Sequence, residues 1–462
     1  MSEAFDNTRN KLNSVGPGMC LAKWTQVTLH LQTGFNHSCH HPTVHRIPQN
    51  EIARNPSALH NTMFKKQKRR EMLNGGRPSE CEYCWNIEDT STSYSDRVYK
   101  STEPWSKPHF DDIVNSDWRA DFNPRYVEVS FSNICNFKCS YCGPSYSSQW
   151  LQEVKQHGPY PTEPTFNNYD DLVRNNSVPI LHSEYNPYVE AFWKWWPDLY
   201  RDLNTFRITG GEPLMSKDTW EVLDYIIKQP EPNRELKFAI NSNLGSTDEL
   251  IDRLIEKLDR IISENRVKEV IIFTSADAWG KQAEYIRHGL EFNRFWNNLN
   301  KILEKLPTVT VTIMSTYNIM SPFSYNELIK NVYKLKQEYS NGERYWLHPV
   351  VLDTSYLRYP SHQSVKLLEN GHKKLILDNA ETALFHGVHI FDNKHMGLTE
   401  VETGKIKRIY DWAISNIDQE QIKHQRKSFI KFVDEHDKRR GTNFIETFPE
   451  LEEFYYRIKN GN

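Results

Sequence analysis

From residue 126 onward, short runs rich in β-branched and aromatic residues alternate with longer runs whose apolar positions recur at helical spacing. Residues 126–131, 205–209, 236–241, 269–275, 308–314 and 344–352 read as strands. Residues 189–203, 217–228, 247–264, 281–305 with a break near Gly289, and 325–338 read as the helices between them. Six strands with helical crossovers predict an α/β fold, a partial (β/α)6 TIM-type barrel whose functional side chains converge from loops at the carboxyl ends of the strands. Residues 159–187 are rich in Pro, Asn and other polar residues and read as an irregular lid or surface loop. After Pro360 the pattern is helical, notably over 404–415 and 418–438. Before the barrel, the region from Cys20 to Arg119 shows short strands and one helix, opened by Asn55-Pro56 and stopped near Gly75. The domains expected are therefore 1–119, 120–360 and 361–462.

A chain of 462 residues exceeds the roughly 250–300 at which a single core stops growing, which agrees with more than one domain. A formal net charge of -3 leaves no broad basic field for nucleic acid. Residues 1–18 are polar, and no run approaches the roughly 18 apolar residues of a membrane span, so a cytoplasmic protein without a membrane partner is expected. Thirteen Trp, 23 Tyr and 22 Phe supply bulk for packing and for binding organic ligands. Seven cysteines, all between Cys20 and Cys142, are odd in number and too clustered for a secreted disulfide scaffold. They divide as three plus four.

Cys135, Cys139 and Cys142 follow the first strand in Asn-Ile-Cys-Asn-Phe-Lys-Cys-Ser-Tyr-Cys. Their spacing suits three irons of a [4Fe-4S] cube. Cluster thiolates usually come in fours, so a compact set of three implies one iron open to a small-molecule chelator. The competing explanations are a zinc site, which closes with four ligands, or incidental thiols.

With the aromatic Tyr141 before the last cysteine, this loop resembles the C-x3-C-x2-C signature of the radical S-adenosylmethionine (SAM) superfamily. The resemblance implies that SAM chelates the open iron through its amino and carboxylate groups. One electron then splits the sulfonium into methionine and a 5'-deoxyadenosyl radical, which abstracts hydrogen from carbon. Four further segments occur in that family's order. Gly210-Gly211-Glu212-Pro213 after the second strand is similar to the GGEP motif that binds the SAM amino group, and the absence of a following Lys-Ser/Thr argues against a phosphate loop. Asn243, in Asn-Ser-Asn-Leu-Gly, occupies the Asn place of a Thr-Asn-Gly turn. Ser275 in Ser-Ala-Asp resembles a ribose contact, although Ala278 stands where Gly is expected. Arg287, twelve residues on, resembles the partner of the methionine carboxylate.

Cys20, Cys39, Cys81 and Cys84 account for the remaining thiols, the last two as a C-x2-C pair beside Trp85. Four thiolates suit either zinc or a complete [4Fe-4S] cluster, and His37, His40, His41 and His45 crowd Cys39. The segment resembles the auxiliary-cluster twitch or SPASM region of radical SAM enzymes, placed before the barrel as in N-terminal twitch proteins, which implies an auxiliary [4Fe-4S] cluster with zinc as the alternative. The basic run from Lys65 to Arg70 reads as a solvated helix face, and Phe192-Trp-Lys-Trp-Trp-Pro as core against a sheet. The function implied is a radical SAM enzyme acting on a small molecule or a peptide, with electrons from a flavodoxin- or ferredoxin-type donor. An iron-sulfur or electron-transfer protein without turnover and a zinc-binding interaction protein are the alternatives.

Overall fold

Val27 and Leu29 are fully buried and alternate with the polar Gln26, Thr28 and His30. That period-two pattern is what a strand requires, and Gln26–His30 forms the first strand, β1. In the computed structural model, residues 2–340, 348–387, 389–391, 394–416 and 418–461 are described. The chain divides into two compact units: residues 1–132, 179–239 and 264–269, and residues 133–178, 240–263 and 270–462.

In the first unit β1 pairs antiparallel with β2 (Phe35–His37), and β2 with β3 (His45–Arg46). On its other side β1 runs parallel to β4 (Tyr126–Ser130), in the register Val27 to Val127. Strand β4 in turn runs parallel to the strand Thr205–Thr209. The N-terminal region thus adds a strand directly to the first strand expected of the barrel. Val127, Val129, Phe206 and Ile208 are buried on one face. The helix Pro187–Asp202 covers them with Phe192 and Trp196, whose rings lie 6.2 and 4.7 Å from Phe206. Phe192, Trp195 and Trp196 of the aromatic run are therefore core, as its spacing predicts, whereas Trp193 is only partly buried. A second core surrounds the cysteine pair: Leu12, Met19, Trp24, Met72, Cys81, Cys84 and Trp85 pack together. Leu12 comes from the helix Ser2–Asn13.

The expected helix after Asn55 forms in two pieces. Asn55 Oδ1 accepts the Ser57 amide to open a 3-10 turn, Pro56–Leu59, and Thr62 caps the helix Met63–Leu73. The expectation that its basic run is a solvated face fails at two positions. Lys65 and Arg69 are 1% and 0% exposed, because residues four apart share one helical stripe and that stripe faces inward.

The second unit holds all but the first residue of Glu269–Ser275, with Thr310–Tyr317 and Val350–Tyr356; the three strands run parallel, with Met314 opposite Ser275 on one side and Asp353 on the other. The last strand sits C-terminal to the expected 344–352; residues 344–347 lie outside the described residues. The helix expected over 281–305 is two helices, Gly280–Ile286 and Phe292–Lys305, separated by the two-residue strand Arg287–His288. Gly289 makes that break: its φ is +105°, and a Cβ there would lie 2.8 Å from the Asn136 carbonyl oxygen. The strand Val350–Tyr356 is covered by the helix Glu400–Ile414. Glu402 of that helix completes a capping box with Thr399, accepts the Leu352 amide at 2.7 Å and pairs with buried Lys336. Parallel strands joined by helices, unclosed and followed by a helical C-terminal region, are the expected α/β class. Among the described residues, no helix is long and apolar enough to cross a membrane.

Candidate functional site

The cysteine loop is closed by its own polar side chains. Ser147 caps the helix Ser148–His157 and donates to the Phe137 carbonyl at 2.7 Å, while Ser148 Oγ accepts the Cys135 amide at 3.2 Å. Asn133 Nδ2 holds the Pro144 carbonyl, Trp150 Nε1 the Cys139 carbonyl and Asn167 Nδ2 the Cys142 carbonyl. These bonds fix the loop's carbonyls, and the Ser140 and Cys142 amides are paired as well, with the Ile286 and Cys139 carbonyls. The Phe137 amide already points at Cys135 Sγ, 3.4 Å away.

Lys138–Cys139 pairs antiparallel with Arg287–His288, setting Cys139 opposite Arg287. Arg287 Nη1 lies 3.7 Å from Cys139 Sγ, and Nη2 donates to the Tyr141 hydroxyl at 2.5 Å and to Asp277 Oδ1 at 3.1 Å. The Tyr141 hydroxyl donates to Asp277 Oδ2 at 2.8 Å, and the Thr316 amide fixes Asp277 Oδ1 at 2.7 Å. Asp277 is fully buried. Burial alone would lower the Arg287 guanidinium; Asp277 and Tyr141 outweigh it and hold it above its ordinary range. Burial pushes the Cys139 thiol up against the pull of Arg287, and burial with neighbouring Cys139 pushes Cys142 up to about 12. Metal binding here must displace protons.

Asn243 reaches the same loop. Its Nδ2 donates to Asn136 Oδ1 at 2.8 Å, its Oδ1 accepts the Gly245 amide, and Asn136 Nδ2 returns to the Gly245 carbonyl at 3.2 Å. A Cβ on Gly245 would lie 2.4 Å from the Phe137 ring, so the turn and the cysteine loop interlock. Ser275 stands half-buried at the end of its strand. The second unit therefore joins Cys135, Cys139, Tyr141, Cys142, Asn243 and Arg287 through described contacts. Sequence reasoning quoted Asp277 without a role and passed over Asn136; both lie within the motifs, two residues after Ser275 and one after Cys135.

Gly210 to Pro213 lie in the first unit. Gly210 has φ +123°, and a Cβ would sit 2.7 Å from Ser130 Oγ and 2.9 Å from the Ser132 carbonyl oxygen, so only glycine fits. Glu212 is 1% exposed and its Oε1 accepts the Leu214 amide, capping the turn Pro213–Met215.

Cys20, Cys39, Cys81 and Cys84 line one small cavity of the first unit, with His41, Trp85, Asp96 and Arg97. Burial raises the Cys20 thiol, and Cys39, Cys84 and Cys81 in turn add to the rise, so the four sit within electrostatic reach of one another. None is in a disulfide. Three buried basic side chains, Lys23, Lys65 and Arg69, lie in the same unit. Lys23 pairs with Glu80; burial would lower its ammonium, but Cys81 and Glu80 raise it. Lys65 donates to His60 Nδ1 at 2.8 Å, and Arg69 Nη2 lies 2.8 Å from His60 Nε2, with burial driving Lys65 well below its ordinary range and Arg69 to about 9. The neighbouring histidines have their own contacts: His41 with Asp96 and the Tyr83 ring, His37 with the Cys39 carbonyl, His45 with Thr62. Among the described residues, no group of three or more His, Cys, Asp or Glu is arranged around a single ion.

Residues 129–321 match the radical SAM superfamily. A GTP 3',8-cyclase of Nautilia profundicola is 29% identical over 119 residues, which are 26% of this chain and 27% of that protein. The chain thus spans about a quarter of that relative's length. A solved structure described as native anSMEcpe with bound AdoMet and Cp18Cys peptide is 12% identical, with a TM-score of 0.30, covering 72% of this chain and 99% of that one.

Proposed function

We propose that the chain is a radical SAM enzyme, a reading that the match of residues 129–321 supports, and that it cleaves SAM reductively and directs the resulting radical at a peptide or protein substrate. Cys135, Cys139 and Cys142 would hold the [4Fe-4S] cluster. When bound, that cluster supplies the electron that splits the sulfonium. The protein's own part is positional. Ser147, Ser148, Trp150 and Asn167 occupy the loop's hydroxyl and carbonyl acceptors, leaving the Phe137 amide and the Arg287 guanidinium directed at sulfur. Hydrogen bonds and positive charge at cluster sulfurs raise a cluster's potential. Tyr141 and Asp277 orient Arg287, and Gly210 lets the backbone before Glu212 approach where a side chain would not.

One observation carries this reading: Arg287 is built into the same short ladder as Cys139, so a guanidinium and a thiolate arrive together. For the upstream quartet we favour an auxiliary [4Fe-4S] cluster, since four thiols share one cavity and the buried Lys23 ammonium faces Cys81. A flavodoxin- or ferredoxin-type protein would then supply the electrons. The peptide substrate follows from the family resemblance of that quartet. The nucleotide relative supports the reaction class without setting the substrate.

Anaerobic incubation of reconstituted protein with SAM and dithionite is expected to yield 5'-deoxyadenosine and methionine, with none from a Cys135→Ala variant. Intact SAM after full reconstitution would leave only a SAM-binding or electron-transfer protein. Iron and sulfide analysis is expected to give about eight irons, falling to about four when all three loop cysteines become alanine. One zinc with four irons would refute the auxiliary cluster.

A further inference from the structure

The largest cavity described within the first unit, about 450 Å³, is not used by any step above. It opens where β4 ends, at Phe131 and Ser132, and beside the turn that follows Gly210-Gly211-Glu212-Pro213. Its size is that of a site for one long side chain with flanking backbone. One wall is fixed to the β1–β2 turn: the Ile180 amide donates to the Gln32 carbonyl and Asn186 Nδ2 to the Leu31 carbonyl, while Gly34 leaves room for Tyr188. The opposite wall is the start of the helix Lys217–Lys228.

The lining combines aromatic faces with carboxylates. Phe131 and Trp193 are parallel, their centroids 6.3 Å apart, and Trp193 Nε1 donates to Asp218 Oδ1 at 2.9 Å. Asp218 is 7% exposed, and among the described residues nothing donates to its other oxygen. Ser216 is also 7% exposed, stands at the N-cap of that helix and makes no capping bond, so its hydroxyl is left for a ligand. Glu184, Glu190 and Glu221 complete the carboxylates, of which Glu190 is taken by Lys194 and Tyr185; Lys217 is the one lysine of the lining. Leu181, Tyr185 and Met215 leave apolar surface exposed at the rim.

We propose that this cavity receives the cationic side chain of a peptide, an arginine or a lysine, over Trp193 and against Asp218, with the flanking residues on the apolar rim. A cation gains from both the aromatic face and the carboxylate, and the gain grows as water is excluded. An anion would meet Asp218 and Glu221 in the first two turns of the helix. A neutral apolar side chain would bury the open Asp218 oxygen and the Ser216 hydroxyl without partners, which is costly. The proposal rests on the peptide reading for its substrate class and gives that peptide a charge.

The test needs neither reductant nor SAM, so its failure is separate from a failure to cleave SAM. A fluorescein-labelled Gly-Ser-Arg-Gly-Ser peptide is titrated by anisotropy into the full-length reconstituted protein, beside the same peptide carrying citrulline. Arginine is expected to bind about tenfold tighter than its neutral isostere and to quench Trp193 fluorescence. Asp218→Asn is expected to abolish the preference, and Glu221→Gln, at an exposed position, to narrow it about threefold. Equal affinity of the two peptides for wild type would overturn the proposal. So would a preference unchanged in both variants, or no saturable binding of the arginine peptide at millimolar concentration.

Discussion

Asp277 has no exposed surface and touches three groups that matter to the cysteine loop: Arg287, the Tyr141 hydroxyl and the Thr316 amide. Removing its charge leaves a buried guanidinium uncompensated, a loss of about 3–5 kcal/mol. Asp277→Asn is therefore expected to lower the urea unfolding midpoint strongly, and adding Arg287→Met should recover part of the loss because the orphaned charge goes too. Additive effects of the two substitutions would contradict this account. Glycines give a sharper contrast. Gly210→Ala places a methyl against Ser130 and Ser132 at a positive φ and should cost at least about 1–3 kcal/mol. Gly404→Ala, inside the helix Glu400–Ile414 with nothing within 4 Å, should stabilise by about 0.5–1 kcal/mol. Thermal unfolding of the two variants checks both signs.

At the scale of elements, the long helix Gln419–Arg440 delivers Arg440 to a segment some 300 residues earlier. Its Nη1 donates to the Lys138 carbonyl at 2.8 Å, its guanidinium lies 4.6 Å from the Trp150 ring centroid, and Glu153 is 3.4 Å from Nη2. Burial pushes the Glu153 carboxyl up, but Arg440, Lys138 and Tyr160 outweigh it and hold it down at about 2. An unfolded glutamate titrates near 4.3. The stabilisation is thus complete above about pH 4.3 and is lost as pH falls toward 2. Glu153→Gln should flatten the fall of the unfolding midpoint across that window, and a curve parallel to wild type would contradict the assignment. No local pattern announces this helix-to-loop contact, whereas the strand at 269–275 and the helix at 217–228 were legible to the residue, because alternating or helical apolar spacing reports burial directly. The strand Arg287–His288 was not legible: two residues carry no periodicity, and only Gly289 marked the break. Lys65 and Arg69 misled for a related reason. A basic run looks solvated in sequence, and burial of two of its members depends on His60, Asn61 and the Lys23 carbonyl, which lie outside the run.

Across the whole chain the seven cysteines fall three in one unit and four in the other, so the two sets can be interrogated separately. Lys23 is buried and paired with Glu80, and it also faces Cys81. A buried ammonium is unfavourable unless anionic groups share its volume. Four thiolates around a metal centre meet that need. If the quartet holds the proposed centre, its removal is expected to loosen the first unit, seen as faster amide exchange over residues 20–100 while residues 270–330 keep their protection. For the proposed auxiliary cluster, Lys23→Met withdraws a cation beside Cys81 and leaves Glu80 unpaired. Both changes disfavour the more negative, reduced state. The midpoint potential followed by EPR should fall by on the order of 70 mV, the size expected of one charge at about 10 Å in a medium of effective dielectric near 20. An unchanged potential with all irons in place would show that Lys23 serves only to pair Glu80.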